Sequence, residues 1–124
     1  MEDKMKVVMV EPGKPAYITE IGSDYQSLKA AVGGLIEPIY YLEDAVMVGN
    51  EEAKLIGMEG NWRFGDRIVA GPFFICGEKM TEDGADFCSL SDNLCEKYVK
   101  EFAVPEHIEQ HEVENDMGLK FIFW

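Results

Sequence analysis

Both arginines of the chain, Arg63 and Arg67, lie within five residues of each other, beside Trp62 and Phe64 in a glycine-rich segment. Guanidinium groups bind phosphate or carboxylate through paired hydrogen bonds, and aromatic rings stack on flat bases. The candidate contacts to a nucleotide-like ligand are Asn50, Asn61, Trp62, Arg63 and Arg67. The alternative is structural: the aromatic rings fill the core, and the arginines pair with carboxylates such as Asp66. This alternative is favoured, because loop aromatics in small domains usually pack.

Two histidines, His107 and His111, are weak candidates for metal ligands. They are four residues apart and would share one face of a helix, and imidazole is a common zinc ligand. The segment lacks the HExxH pattern of zinc hydrolases and specifies no third ligand. A solvated acidic helix or loop is therefore the favoured interpretation, and we expect no metal and no cofactor.

The sequence contains none of the common catalytic motifs. No serine lies in a GxSxG pattern, and the glycine patterns that bind phosphate or dinucleotides are missing. Both histidines are distant in sequence from Cys76 and Cys88. We therefore expect a protein without enzymatic activity and keep a small hydrolase as the least favoured alternative.

Cysteines and hydropathy indicate the compartment. The three cysteines are odd in number and form no CxxC pair, which is typical of reduced thiols that pack as small apolar residues. No apolar run approaches the roughly 20 residues that a membrane helix needs, and the first residues offer no signal-peptide cleavage site. We expect a cytoplasmic protein that does not enter a membrane.

The chain of 124 residues carries a formal net charge of −13. The segment from Glu78 to Asp116 alone holds twelve carboxylates against three lysines. Such a surface repels phosphate backbones, which disfavours direct nucleic-acid binding. Solubility is the commoner reason for an acidic surface, and attraction to a basic protein is the functional alternative.

The first third of the chain predicts a hairpin and a short helix. Met5–Val10 is rich in β-branched residues and ends at the turn sequence Glu11–Lys14, and Ala16–Ile21 alternates as its antiparallel partner. Ser23 is a suitable N-cap for a helix, and Gly33 is a typical left-handed stop.

Extended segments dominate the middle of the chain. Leu35–Leu42 contains Pro38, which favours an edge position or a bulge, and Ala45–Val48 predicts a short apolar strand. Residues 50–56 are equally compatible with a helical turn and a polar strand. Ile68–Cys76 is the most apolar stretch and is predicted to be one central strand with a bulge at its Gly-Pro pair.

The last elements complete an α+β fold. Glu82–Gly84 predicts a hairpin turn, Ser89 or Ser91 caps a second helix, and Pro105 ends it. We therefore predict a small antiparallel or mixed sheet of about five to six strands, with two helices on one face. Residues 1–105 form the single domain in this scheme. Residues 106–124 form an acidic connector and a C-terminal strand that packs on the same domain or on a partner subunit.

Four segments occur in an order that resembles a known family. They are Glu11–Lys14, Leu28–Glu37, Asn50–Leu55 and Gly65–Ile75. Together they are similar to the family known as domain of unknown function 3846. The resemblance covers roughly residues 5 to 102, and it implies a setting in bacteriophages, plasmids and other mobile elements of bacteria. It implies no established activity.

Three functions follow as hypotheses. The first is a non-enzymatic binding protein of a bacteriophage or mobile element, in the host cytoplasm, that sequesters a nucleotide-type signal and so counters host defence. The second is an acidic inhibitor that mimics nucleic acid and occupies a basic host protein, as antirestriction proteins do. The third is a small hydrolase.

The C-terminal segment Leu119–Trp124 predicts self-association. Large apolar side chains occupy both faces of this predicted strand, interrupted only by Lys120, and one uncovered face would promote aggregation. We expect a homodimer or a higher oligomer with symmetric pairing across this strand. Analytical ultracentrifugation at micromolar concentration should show a dimer or larger, and deletion of residues 119–124 should give a monomer or an insoluble product. A monomeric full-length protein would contradict the prediction.

Overall fold

The computed structural model describes residues 4–42 and 44–118 of the chain. Within these residues the strands are β1 (Lys4–Val10), β2 (Tyr17–Gly22), β3 (Ile36–Leu42), β4 (Ala45–Asn50), β5 (Gly60–Phe64), β6 (Arg67–Ala70), β7 (Phe73–Thr81) and β8 (Gly84–Cys88). The helices are α1 (Tyr25–Val32), α2 (Asp92–Glu101) and α3 (Gln110–Gly118). None of these helices is long and apolar enough to cross a membrane.

The main sheet has the order β2-β1-β7-β4-β3, and every neighbouring pair is antiparallel. Strand β8 is the sixth member and pairs with the second half of β7, from Gly77 to Thr81. Strands β5 and β6 form a separate two-stranded sheet. The predicted α+β class and six-strand sheet are confirmed, but the described chain contains three helices, one more than predicted.

The three central strands, β1, β7 and β4, are apolar on both faces. In β1, Val7 contributes to one core and Val8 to the other, because successive side chains of a strand point to opposite faces. Helix α1 covers the first face with Leu28 and Val32. Helix α2 covers the opposite face. The prediction of two helices on one face is therefore wrong: a sheet buried on both sides needs a cover on each.

Helix ends agree closely with the sequence. Asp24 caps α1 in place of the predicted Ser23, and its carboxylate accepts a hydrogen bond from the backbone N–H of Ser27 at 3.1 Å. Gly33 ends α1 in the left-handed conformation, as predicted. Ser91 caps α2, the second of the two alternatives. The edge position of β3 and a register shift after Pro38 are also confirmed.

The predicted central strand Ile68–Cys76 is two strands in two different sheets. The chain leaves β6 at Ala70, turns at Gly71 and enters β7 at Phe73. Gly71 has a φ of 74°, and a Cβ there would lie 2.6 Å from Sδ of Met58. Only glycine fits this position, because it needs both the left-handed backbone and the missing side chain. The Gly-Pro pair is therefore a break between sheets, not a bulge.

Residues 60–64, predicted to be part of a glycine-rich loop, are strand β5 and form the β5–β6 hairpin with β6. This hairpin packs beside α2 on one face of the main sheet, through Trp62, Phe64 and Val69. The opposite side of the hairpin receives the C-terminal part of the chain. The segment that carries both arginines is thus a paired, partly buried element.

Helix α3 follows the family-like region and packs on the β5–β6 hairpin. Its Val113 is fully buried against Ile68 and Ala70, and Ile108 packs on the same cluster. A Cβ on Gly60 would approach Cγ2 of Ile108 to 2.6 Å, so the glycine permits this close contact. The sequence indicated an acidic connector, with a solvated helix or loop around the two histidines, and did not predict that this segment packs on the hairpin. The predicted strand Leu119–Trp124 lies outside the described residues.

Candidate functional site

The aromatic residues of the arginine segment belong to the core. Trp62 packs edge-on against Phe102, with ring centroids 4.8 Å apart. Phe64 lies between Tyr40, at 5.1 Å, and Phe73, at 6.3 Å. Alternate residues of β5 point to the same face, which places both rings between the hairpin and the main sheet. Trp62 and Phe64 therefore fill the core, as the structural alternative predicted for the aromatic rings.

Arg63 is held by carboxylates of the C-terminal segment. Its backbone N–H donates to Oε1 of Glu106 at 2.7 Å, and its guanidinium pairs with Glu106 at 3.4 Å and with Glu112. The hydrogen bond that the guanidinium donates to the carboxylate of Glu112 raises the pKa of Arg63. The pKa of Glu112 is lowered, first by the backbone N–H of Glu109 and then by Arg63. The sequence had suggested a nearby partner such as Asp66; the partners instead lie more than forty residues away.

Arg67 and Lys54 converge on one carboxylate. Nε of Arg67 lies 3.6 Å from Oδ1 of Asp116, and Nζ of Lys54 pairs with the other oxygen of that carboxylate. The Asp116 side chain is only 8% exposed, whereas that of Arg67 is 61% exposed. The buried acid therefore has a lysine on one side and a solvent-facing arginine on the other.

The electrostatics of Asp116 follow from these contacts. Burial alone would raise its pKa, but the hydrogen bond and charge of Lys54, the backbone N–H of Ile68 and the charge of Arg67 outweigh burial and lower the pKa. A carboxylate with a lowered pKa in the folded state stabilises the fold above the ordinary carboxyl pKa. That contribution is lost as the pH falls through the lowered value.

A cleft of about 470 Å³ opens beside Lys54 and Arg67, between strand β3, the turn at residues 51–57 and strand β6. We call it the lysine–arginine cleft. Its lining residues are Glu37, Ile39, Tyr40, Asn50, Glu51, Ala53, Lys54, Leu55, Arg67, Ile68, Val69 and Ala70. A second cleft, of about 610 Å³, lies on the other side of Arg67, against α3. Its lining residues are Arg63, Gly65, Asp66, Arg67, Ile68, Glu112, Asn115 and Asp116.

The two asparagines proposed as ligand contacts make internal hydrogen bonds. Asn61 is 2% exposed, and its amide nitrogen donates to the carbonyl oxygens of Val10 at 3.0 Å and Gly71 at 2.9 Å. Asn50 donates to the carbonyl of Val32 at 3.1 Å and accepts from the backbone N–H of Glu52. Asn50 lines the lysine–arginine cleft, whereas Asn61 joins the hairpin to β1 and lies outside that lining.

The five predicted contacts therefore do not form one site. Arg67 and Asn50 line the lysine–arginine cleft, Arg63 faces the second cleft, and the other two predicted contacts are packed within the fold. The sequence did not predict a role for Lys54. This lysine lies in one of the four family-like segments, but no neighbouring residue distinguishes it from the other lysines.

The two histidines do not share a helix face. Helix α3 begins at Gln110, so His107 precedes it and His111 lies inside it. The side chain of His107 is 84% exposed, and its Nε2 lies 3.1 Å from Oε1 of Glu109. Within residues 4–42 and 44–118, no three His, Cys, Asp or Glu side chains are grouped so as to hold a metal ion.

The cysteines differ in accessibility. Cys76 and Cys95 are buried, and Cys88 is half-buried. Burial raises the pKa of Cys76 to about 12 and also raises the pKa of Cys95. Neither buried thiol is therefore suited to act as a nucleophile near neutral pH.

These observations define a small α+β domain with a cleft lined by a lysine and an arginine. A family model described as Domain of unknown function (DUF3846) matches residues 5–103, and the chain belongs to that family. No curated protein and no solved structure matches the chain. The family match ends before Glu106, so the carboxylates that pair with Lys54, Arg63 and Arg67 come from outside it.

The role of Asn61 can be tested by stability. Asn61→Ala removes the donor to two buried carbonyl groups, and we expect it to lower the free energy of unfolding by about 2 to 4 kcal/mol. Urea denaturation followed by circular dichroism measures this change. Asn115→Ala, at an exposed position of α3, is the matched control and should change stability by less than about 0.5 kcal/mol. Equal stability of both variants and the wild type would contradict a structural role for Asn61.

Proposed function

We propose that this protein binds an anionic small molecule of nucleotide type in the lysine–arginine cleft and leaves it chemically unchanged. The observation that carries the proposal is the convergence of Lys54 and Arg67 on one carboxylate beside an open cleft. Two cations that hold the carboxylate of Asp116 present the same charge pattern to the phosphate of a ligand.

The dimensions and lining of the cleft support a small-molecule ligand. Its volume of about 470 Å³ lies within the range of roughly 300 to 1,000 Å³ that is usual for ligand pockets. Tyr40 and Ile39 supply apolar area on the β3 side, while the side-chain amide of Asn50 is hydrogen-bonded within the fold. An aromatic ring near two cations is the combination that recognises a base together with its phosphate.

Lys54, and not Arg63, is proposed to bind the ligand together with Arg67. Both the backbone N–H and the guanidinium of Arg63 are occupied by Glu106 and Glu112. Within residues 4–42 and 44–118, Arg67 pairs with one acid, Asp116 at 3.6 Å, and its side chain is largely exposed. Binding without turnover is proposed because the sequence lacks the serine-hydrolase and phosphate-binding motifs, and because the thiols of Cys76 and Cys95 are buried.

In a bacteriophage or mobile element, a protein of this kind would act by sequestration. It would remove a nucleotide-type signal from a host defence pathway in the bacterial cytoplasm, and its effect would depend on the number of copies present. A homodimer or higher oligomer would provide more than one cleft per particle.

Isothermal titration calorimetry with ADP-ribose, cyclic AMP and cyclic di-GMP tests the proposal. We expect heat with at least one of them, and at least a tenfold weaker binding in Lys54→Gln/Arg67→Gln, equivalent to about 1.4 kcal/mol. Lys14→Gln/Lys79→Gln removes the same number of charges from exposed positions and should bind as the wild type does. The ligand recovered after incubation should be intact by liquid chromatography.

Two outcomes oppose the proposal: no heat with any nucleotide, and conversion of the ligand. The double substitution also leaves Asp116 buried without a cation, which destabilises the fold. A triple variant that adds Asp116→Asn removes this unpaired charge. It replaces the double variant in the binding measurement if the double variant melts at a lower temperature than the wild type.

A second candidate function is favoured by the arm formed by β8 and the second half of β7. Beyond Cys76, β7 pairs only with β8 among the described strands. Four exposed carboxylates lie on the arm against one lysine: Glu78, Glu82, Asp83 and Asp86. The arm also exposes Met80, and an acidic surface with an apolar side chain suits a basic protein that normally binds nucleic acid.

A pull-down from host lysate at low and high salt tests this candidate. We expect a partner that is lost at high salt and lost when the arm carries Glu82→Gln, Asp83→Asn and Asp86→Asn, because screening weakens exposed charges. Glu20→Gln/Glu96→Gln/Glu101→Gln removes three exposed charges elsewhere and should retain the partner. A partner that binds all variants equally, or no partner, would reject the acidic-inhibitor function.

A further inference from the structure

The C-terminal segment supplies the counter-charges of the lysine–arginine cleft and of Arg63. Residues 5–103 match the family, and Arg63, Arg67 and Lys54 lie within them. Their acidic partners are Glu106, Glu112 and Asp116, all beyond the matched region. One segment outside the family domain thus neutralises three cations inside it.

We infer that Asp116 occupies an anion subsite at the edge of the lysine–arginine cleft, where Arg67 and Ile68 separate this cleft from the second cleft, and that a phosphate or carboxylate ligand competes with Asp116 for that subsite. The inference rests on the proposed function for the identity of the larger ligand, and it adds the position of the anion and a built-in competitor. The subsite consists of Nζ of Lys54, Nε of Arg67 and the backbone N–H of Ile68.

The composition of this subsite suits a phosphate group. Phosphate offers several acceptor oxygens, and proteins bind it with cationic side chains and backbone N–H groups together. The Asp116 carboxylate uses the same donors and, with 8% of its side chain exposed, is almost fully enclosed by them. An arriving anion would gain those donors when the carboxylate leaves.

The apolar anchors of helix α3 lie before Asp116, so we expect its last turn to separate without the rest of the helix. Val113, one turn before Asp116, is fully buried on the β5–β6 hairpin, and Ile108 anchors the segment further upstream. The route for the carboxylate is the second cleft, which Asp116 and Asn115 line together with Arg67. Release of one side chain therefore does not require the whole helix to undock.

The test uses the full chain and inorganic phosphate as the probe. Asp116→Asn should bind phosphate about tenfold more tightly than the wild type in calorimetry, a difference of about 1.4 kcal/mol. Adding Lys54→Gln to Asp116→Asn should abolish the gain. Glu114→Gln is the matched control, because Glu114 is an exposed carboxylate two residues away on the same helix, and its affinity should equal that of the wild type. Equal affinity of Asp116→Asn and Glu114→Gln would overturn the inference.

A measurement on the wild type guards against a variant that fails to fold. Phosphate should increase hydrogen–deuterium exchange of the last amides of α3 while the amides around Val113 remain protected. Unchanged exchange at saturating phosphate would overturn the inference.

The two proposals fail in different ways. Nucleotide binding that depends on Arg67 but is unaffected by Asp116→Asn would preserve the proposed function and reject the competitor. If Asp116→Asn strengthens phosphate binding but no nucleotide gives heat, the anion subsite is supported and the nucleotide class of ligand is rejected.

Discussion

The fold depends on one constraint: strands β1, β4 and β7 are apolar on both faces, so neither face can be left in water. Helix α1 closes one face, while α2 and the β5–β6 hairpin close the other. Burial of large apolar side chains stabilises by about 1.5 to 3 kcal/mol each, which makes these covers obligatory. The hairpin carries both arginines because it is a cover of the core, and its inner aromatic side chains hold it there.

The same hairpin sets the electrostatics of the molecule. A protein with a net charge of −13 holds Arg63, Arg67 and Lys54 close to one helix of opposite charge. The exposed pair at Arg63 contributes little to stability, because solvent screens it. The enclosed carboxylate of Asp116 differs, since removal of either cation would leave a buried charge. Packing of the hairpin and occupation of the candidate site are therefore linked through α3.

Local signals in the sequence predicted local structure well. The first hairpin, the Gly33 stop of α1, the Ser91 cap and the edge strand with Pro38 are all present, because each depends on a few neighbouring residues. The division of Ile68–Cys76 between two sheets was missed, since an apolar run does not show which sheet buries it. The Lys54–Asp116 pair was equally hidden, because its members are 62 residues apart. Tertiary contacts across that distance decided the candidate site.

The neighbours of β1 also determine when the molecule can fold during its synthesis. β1 pairs with β2 on one side at once, but its other partner is β7, and the backbone N–H of Lys6 donates to Ser89, 83 residues later. Until those residues leave the ribosome, β1 and β2 form only an isolated hairpin, which is marginal in water. Contacts of such long sequence separation slow folding, so the nascent chain exposes apolar strand surface for most of its translation. Chaperones that hold unfolded chains should therefore protect this protein during its synthesis.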